Sequence, residues 1–206
     1  MNPEIRNIAM FLDFENLETC LRKQRELEVA VEPICDGLNT RGTVVEKRAY
    51  GDWSQHSDYE RDMTQAGLEL VQCPATNSGR KGVDLRLAID AIQLAYEKPD
   101  VDTFALVSGN SDFLPLVQRL RSIGRRVLVI GVDACTSQTL QNNCDQFLSY
   151  DLLARLREED PHIPRETLAL LERAMVAVDE NRDRLTLDAL HEQCTRLQPT
   201  FNVAEY

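Results

Sequence analysis

The chain lacks the long apolar runs that a membrane helix requires. No window in its 206 residues approaches the ~20 consecutive apolar residues needed to cross a bilayer. The first eight residues, MNPEIRNI, also lack the basic and apolar regions of a secretion signal. We therefore expect a cytoplasmic protein that does not insert into membranes.

Two other patterns are missing: paired cysteines and a glycine-rich nucleotide loop. The six cysteines are scattered without a CxxC pair, and no histidine lies at zinc-ligand spacing from them. Neither a structural zinc site nor a disulfide framework is expected for that reason. The sequence has no GxGxxG segment, which argues against a dinucleotide cofactor.

Positive charge is also scarce, because 23 Lys and Arg face 34 Asp and Glu, giving a net charge of −11. Phosphate backbones bind to cationic surfaces, so this balance opposes a nucleic-acid partner at long range. Local charge still dominates within a Debye length of ~8 Å at physiological salt. Basic clusters occur at 47–48, 80–81 and 119–126, although each is also explained as a solvated surface.

Apolar segments rich in Ile, Val and Leu alternate with longer amphipathic ones. The pattern predicts strands at 8–13, 43–50, 68–72, 103–108 and 126–131, with a weaker sixth near 146–149. It predicts helices at 16–28, 32–41, 57–66, 83–97, 112–123 and 136–143. Near-continuous hydrophobic strands alternating with helices indicate an α/β fold, with a mainly parallel sheet covered on both faces.

The pattern changes after residue 152. A charged run followed by Pro161 and Pro164 predicts a linker over 153–164. Beyond it, a helix, a polar turn and a second helix predict a small helical C-terminal extension over 165–206. A domain of 152 residues is large enough for a hydrophobic core of its own.

Polar side chains follow two of the predicted strands at the point where each strand ends. Asp13 ends the first strand, and the strand 103–108 leads into a turn with Ser108, Asn110 and Asp112. In open α/β sheets, ligands bind at the carboxyl edge of the strands, where small polar residues are poor packing material. The alternative for Asp13 is a helix cap, a role that Asn16 is also able to fill.

The helix 83–97 contributes further acids. Asp84 lies in its first turn, where the helix dipole alone would also explain an anion. Asp90 points ~240° around the helix from Asp84, so the two do not share a face. The rest of the helix is apolar nearly all round, and Asp90 therefore needs a partner. Asp84 is the better ligand, and Asp90 is predicted to support the site.

Several acids from separate elements thus converge on one edge of the sheet. Clustered carboxylates repel each other unless they are protonated or bridged by a cation. Oxygen ligands favour Mg²⁺ or Mn²⁺, and such a metal can activate water for attack on a phosphodiester. We predict a nuclease site whose catalytic and metal-binding residues are Asp13, Asp84 and Asp112, with Asn110 as a further ligand and with Asn16 and Ser108 in support.

These elements closely resemble the NYN family of PIN-like ribonuclease domains, in its bacterial LabA-like branch. The likeness covers about residues 5–152 and rests on FLDFEN (11–16), AYGDW (49–53), KGVDLRLAID (81–90), SGNSDFLPL (108–116), GRRVLVIG (124–131) and FLSYDL (147–152). It implies a Rossmann-like three-layer α/β/α sandwich and metal-dependent cleavage of RNA around Asp13, Asp84 and Asp112.

One position departs from the family pattern. Asn110 stands where the turn usually carries its first acid, so an oxygen ligand is kept and a negative charge is lost. Two hypotheses follow: an endoribonuclease acting on single-stranded RNA, or a catalytically weak module that binds RNA or protein as a regulatory scaffold. Arg80, Lys81 and Arg86 are predicted to contact phosphates.

The C-terminal segment 165–206 resembles the front part of a LOTUS (OST-HTH) domain. The likeness rests on ETLALLERAM (166–175), RLTLDAL (184–190) and LQPTFN (197–202). It implies RNA binding or docking of a protein partner, and the acidic balance favours protein as much as RNA. The resemblance to PIN-like domains also implies a homodimer.

Overall fold

A parallel sheet of six strands forms the centre of the molecule. The computed structural model describes residues 6–25, 28–74 and 81–158, together with Leu170, Arg173, Ala174, Cys194, Arg196 and Leu197. The strands are β1 (Asn7–Asp13), β2 (Thr43–Gly51), β3 (Glu69–Gln72), β4 (Thr103–Val107), β5 (Arg126–Gly131) and β6 (Gln146–Ser149). Their order is β3-β2-β1-β4-β5-β6, and every neighbouring pair is parallel.

Helices cover both faces of this sheet. They are α1 (Phe14–Arg25), α2 (Glu32–Asn39), α3 (Ser57–Gln65), α4 (Lys81–Glu97), α5 (Leu114–Ser122), α6 (Gln138–Asn143) and α7 (Tyr150–Glu158). The predicted α/β class and three-layer sandwich are confirmed, including the weak sixth strand. In the described part of the chain, no helix combines the length and the apolarity needed to cross a bilayer.

Two hydrophobic cores lie on opposite faces of the sheet, and β1 contributes to both. Ile8, Met10 and Leu12 pack with α1, α2, α3 and α7, whereas Ala9 and Phe11 pack with α4, α5 and α6. This division follows from the alternation of side chains along a strand. Asp13 continues the second series, so its side chain lies on the side of α4.

The order of the strands creates a crevice at the carboxyl end of β1. Strand β1 pairs with β2 on one side and with β4 on the other. After β1 the chain continues to β2, whereas after β4 it continues to β5 on the opposite side, so the two connections diverge. Open α/β sheets bind ligands at such switch points. The residues that follow β1 and β4 are therefore the ones that line the crevice.

Two segments differ from their predicted form. Asn110 caps a short 3₁₀ helix, Ser111–Phe113, and α5 begins only at Leu114 because Pro115 favours the first turn of a helix. Helix α7 occupies the first half of the stretch predicted as a linker, and its Leu153 is buried in the core. The charged residues at 155, 157 and 158 therefore lie in a helix, where the charged run of the sequence predicted a linker.

Candidate active site at the carboxyl edge of the sheet

Asp13 lies where β1 passes directly into α1, and it is only 2% exposed. Its Oδ1 accepts a hydrogen bond from the backbone N–H of Asn16 at 3.2 Å. Its Oδ2 accepts one from the hydroxyl of Ser108 at 3.1 Å. Of the two candidate caps in the sequence, Asp13 therefore caps α1 and Asn16 does not, because the helix begins two residues earlier than predicted.

The side chain of Asn16 connects α1 to the turn after β4 instead. Its Oδ1 accepts a hydrogen bond from the backbone N–H of Gly109 at 2.9 Å. In the same turn, the hydroxyl of Ser108 accepts a bond from the N–H of Asn110 at 3.2 Å. The ends of β1 and β4 are thereby held together by hydrogen bonds that involve side chains from both.

Gly109 brings a third loop against this turn, one that the sequence reasoning did not include. The carbonyl of Gly109 accepts a hydrogen bond from the N–H of Ser137, in the loop that follows β5. A Cβ at position 109 would lie 2.9 Å from the carbonyl oxygen of Cys135, so no larger residue fits without a shift. The signal for this loop was present, because the polar residues after β5 also follow the end of a parallel strand.

Burial and a second carboxylate raise the pKa of Asp13. Loss of solvent around the buried carboxyl is the larger cause, and the nearby carboxylate of Asp84 is the next, together raising the pKa to about 7. The hydrogen bonds from Asn16 and Ser108 act in the opposite direction. Near neutral pH the carboxyl of Asp13 therefore exists in both protonation states.

Asp84 is half-buried in the first turn of α4 and contacts the turn after β4. Its Oδ2 accepts a hydrogen bond from Nδ2 of Asn110 at 3.1 Å, while Oδ1 of Asn110 accepts one from the backbone N–H of Asp112 at 3.0 Å. A backbone N–H only donates, so the amide of Asn110 must present its nitrogen to Asp84. The oxygen predicted as a metal ligand is thus already bonded to the backbone.

Asp112 lies further out than the other two acids. It is exposed and, together with Asp84, borders an open groove between α4 and α5. Among the residues that the structure describes, no three Asp, Glu, His or Cys side chains are arranged to hold a metal ion together. The structure therefore brings Asp13 and Asp84 together and leaves Asp112 at the mouth of the site.

Asp90 stabilises the position of α4 behind the site. It is 8% exposed, and its carboxylate accepts hydrogen bonds from the hydroxyl of Tyr50 at 3.1 Å and from Nε of Arg86 at 3.0 Å. Burial and the charge of Asp90 both raise the pKa of the Tyr50 phenol. Because Tyr50 pairs with Asp13 in the register of β1 and β2, these bonds join α4 to the strand beside the site.

The three predicted phosphate contacts have different outcomes. The guanidinium of Arg86 forms an ion pair with Asp90, although 57% of its side chain is exposed. Lys81 is the first residue of α4. Arg80 lies outside the described residues, as does most of the segment that resembles a LOTUS domain.

The pair Asp13 and Asp84 suits a divalent cation. Both ligands are carboxylates, the donor type that Mg²⁺ and Mn²⁺ prefer. Their mutual repulsion is already visible in the raised pKa of Asp13, and a cation between them would remove it. Asn110 offers no oxygen in this arrangement, so the fit is to two carboxylates.

Known proteins are similar to this chain in sequence and in fold. The family model described as the NYN domain matches residues 7–153. An uncharacterized protein of Methanocaldococcus jannaschii, MJ0482, is 31% identical over 138 residues, which cover 67% of this chain and 52% of that protein. The chain thus spans about half the length of this curated relative.

A solved structure shows the same architecture. The crystal structure of a protein of unknown function from Vibrio parahaemolyticus, VPA0982, has a TM-score of 0.64 and 28% sequence identity. The match covers 73% of this chain and 97% of the Vibrio chain. A PIN-like NYN domain indicates a nuclease-like, RNA-related role. With its family match extending over residues 7–153, the chain belongs to the NYN domain family.

Proposed function

We propose that this protein is a metal-dependent endoribonuclease that acts on single-stranded RNA. The observation that supports it most is the placement of two carboxylates, Asp13 and Asp84, in the crevice between β1 and β4. One of them is buried and has a pKa raised to about 7 by burial and by the other. Such an arrangement costs folding free energy, and it is typical of a functional site.

Asp13 and Asp84 hold the divalent cation in this proposal. When bound, Mg²⁺ or Mn²⁺ activates water and neutralises charge on the phosphodiester. Ser108 orients the carboxylate of Asp13 through its hydroxyl. Asn16 holds the turn after β4 through Gly109. Asp112, at the mouth of the site, provides a further carboxylate for the metal or for its water.

RNA has to approach an acidic protein in this proposal, so its binding depends on local cations. Arg80, Lys81 and Arg86 lie before and within the first turns of α4, close in sequence to Asp84. The side chain of Arg86 is 57% exposed, so its guanidinium is able to contact a phosphate while it stays paired with the buried carboxylate of Asp90. RNA binding should therefore weaken as the salt concentration rises.

A second candidate function is a catalytically weak NYN module that binds RNA or protein as a regulatory scaffold. The specific observation that favours it is the amide of Asn110, which donates to Asp84 and places no oxygen beside the acidic pair. With one carboxylate fewer, the site has a lower affinity for divalent ions. In this case the C-terminal segment 165–206 would dock a protein partner.

The test is cleavage of a labelled single-stranded RNA with Mn²⁺, with Mg²⁺ or with EDTA. Wild type should cleave only with a metal, and Asp13→Asn should abolish cleavage. Asp100→Asn is the matched control, because Asp100 is exposed and precedes β4 at the opposite edge of the sheet. A double-stranded RNA of the same sequence tests the preference for single strands.

Each outcome decides between the candidates. Metal-dependent cleavage that is lost in Asp13→Asn and kept in Asp100→Asn supports the endoribonuclease. A folded wild type that binds RNA but cleaves it with neither metal supports the scaffold. Cleavage that survives both EDTA and Asp13→Asn contradicts the proposed site.

A further inference from the structure

Helix α4 presents an apolar stripe to solvent on the side away from the sheet. The described residues include five large hydrophobic side chains that are exposed, and three of them are on α4: Leu85 at 63%, Tyr96 at 59% and Ile89 at 53%. With Ile92, they follow the spacing i, i+4, i+7 and i+11, which places them within ~60° of one another around the helix. Exposed apolar surface concentrated in this way marks an interaction site.

This stripe forms one wall of a groove of about 690 Å³. The other wall is α5 with the short helix before it, which contribute Phe113, Pro115 and Leu116. Most of the side chains around the groove are aliphatic, which suits another protein surface better than nucleobases, since bases stack on aromatic rings. The groove is therefore better suited to a protein than to RNA.

The two ends of the groove carry opposite charges. Asp84 and Asp112 lie at one end, and Arg119 lies at the other, where its Nη2 donates to the hydroxyl of Tyr96 at 2.6 Å. Asp84 and Tyr96 are twelve positions apart, which corresponds to ~18 Å along α4. A two-fold axis through the middle of the stripe, near Ile89 and Ile92, would exchange the two ends.

The occupant that satisfies this pattern is a second copy of the chain. With two α4 helices packed antiparallel, Leu85 of one copy would meet Tyr96 of the other, and Arg119 would face the partner's acids. A two-fold interface requires this kind of self-complementary surface. The described apolar residues of the C-terminal segment, Leu170, Ala174 and Cys194, are buried with one another and so are not available to fill the groove.

We infer that the α4 face is a homodimer interface that places Arg119 of each copy beside the acidic site of the other. The inference adds a function to the proposed site, since an arginine brought to a cluster of carboxylates is a cation next to the point where a phosphodiester would bind. Its failure is separate from that of the proposed function. Dimerisation is read from mass and not from cleavage.

The first test is sedimentation velocity of the full chain over a range of micromolar concentrations. We expect a species of twice the 23.4 kDa chain mass for wild type. Ile89→Glu should dissociate it, because the substitution enters a two-fold interface in both copies, and we expect the dissociation constant to rise at least roughly tenfold. The matched control is Leu152→Glu on α7, another exposed apolar position, which should remain dimeric.

The second test exchanges the charges. Arg119→Asp sets like charges against the partner's Asp112, and Asp112→Arg sets them against the partner's Arg119, so each variant alone should be monomeric. An equal mixture should form a heterodimer, because both facing pairs then have opposite charges. Circular dichroism of each variant verifies that it is folded.

Three results would overturn the inference. The first is a wild type of 23.4 kDa at every concentration, and the second is a dimer that Leu152→Glu dissociates but Ile89→Glu does not. The third is a monomer whose affinity for single-stranded RNA falls in Ile89→Glu, which would make RNA the occupant of the groove. A dimer without cleavage keeps the inference and removes the proposed function.

Discussion

The side-chain amide of Asn110 donates a hydrogen bond from Nδ2 to Oδ2 of Asp84 over 3.1 Å. The turn after β4 therefore offers the acidic pair a donor where an acid would add a further negative charge. The bond partly offsets the repulsion between Asp84 and Asp13. Whether position 110 carries an amide or a carboxylate therefore determines how strongly the acidic pair needs a metal to offset its repulsion.

Replacement of Asn110 by Asp should lower the stability of the metal-free protein and raise its affinity for a divalent metal. Asp keeps an oxygen for the N–H of Asp112 but turns the contact with Asp84 into a repulsion between carboxylates. At pH 8 in EDTA we expect a loss of about 1–3 kcal/mol in the free energy of unfolding. Mn²⁺ should raise the Tm of Asn110→Asp more than that of wild type, and cleavage should increase.

The matched variant is Asn110→Ala, which removes both the cap and the donor without adding charge. It should lose stability and gain no metal affinity. Differential scanning fluorimetry with a Mn²⁺ titration distinguishes the two variants. An equal response to Mn²⁺ in both would show that a carboxylate at position 110 adds no ligand for the metal.

The raised pKa of Asp13 predicts how stability changes with pH. The folded protein holds a proton on this carboxyl up to about pH 7, whereas an exposed Asp loses it near 3.8. Between these values the folded state binds the extra proton, so the free energy of unfolding falls as pH rises from about 4 to 7 and stays low above that. This cost of ionisation reaches roughly 4 kcal/mol at most.

Asp13→Asn should lack this decrease. In EDTA, urea unfolding at pH 5 and at pH 8 should show the variant gaining stability relative to wild type as the pH rises. Saturating Mn²⁺ should flatten the wild-type profile, because the metal stabilises the ionised carboxylates. Parallel profiles for the two proteins in EDTA would show that Asp13 ionises normally.

Gly109→Ala should displace the turn that carries Ser108 and Asn110. A Cβ there lies 2.9 Å from a backbone oxygen, that of Cys135, and the backbone has little freedom to move away. We expect a loss of about 1–3 kcal/mol, as for other overpacked positions. RNA cleavage should fall with it, since the bond from Gly109 to Asn16 would shift.

Gly82→Ala is its control on α4, because a Cβ at position 82 meets no atom within 4 Å. This substitution should stabilise the helix by about 0.4–1 kcal/mol. Urea unfolding measures both variants. Equal and small effects would show that the loop after β5 moves freely away from Gly109.

Tyr50→Phe should weaken the attachment of α4 to the sheet. Tyr50 is fully buried, and its hydroxyl donates to Asp90, so its removal leaves a buried carboxylate with one donor fewer. We expect a loss of about 1–3 kcal/mol. Tyr96→Phe, at a position 59% exposed, is the control and should change stability by less than about 0.5 kcal/mol. Similar losses in both would contradict the role of Asp90.

The strands were predictable from the sequence because each is a short apolar run between turn residues. Gly67 and Gly124 mark two of these boundaries, and both have the positive φ of 79° that favours glycine after a helix. The meeting of Asp13 with the turn after β4 also followed from sequence, since parallel strands end at the same edge.

The hydrogen-bond partners within the site could not be predicted in this way. Asn16 and Asp13 are both good caps, and the choice depends on a helix start that moved by two residues. The orientation of Asn110 depends on distances of a few tenths of an ångström, which residue spacing does not encode. The exposure of the apolar stripe on α4 could not be predicted either, because an apolar helix is interpreted as buried until the position of α5 is known.

The position of β1 at the centre of the sheet has a consequence for synthesis on the ribosome. Asp13 and Ser108 are 95 positions apart in the sequence. Strands β1 and β2 are therefore synthesised well before β4 is available to pair with β1. At ~5–20 residues per second, the interval between Gly51 and Thr103 lasts roughly 3–10 s. During that interval the apolar strand IAMFL has an open edge, which is a target for chaperones and for aggregation.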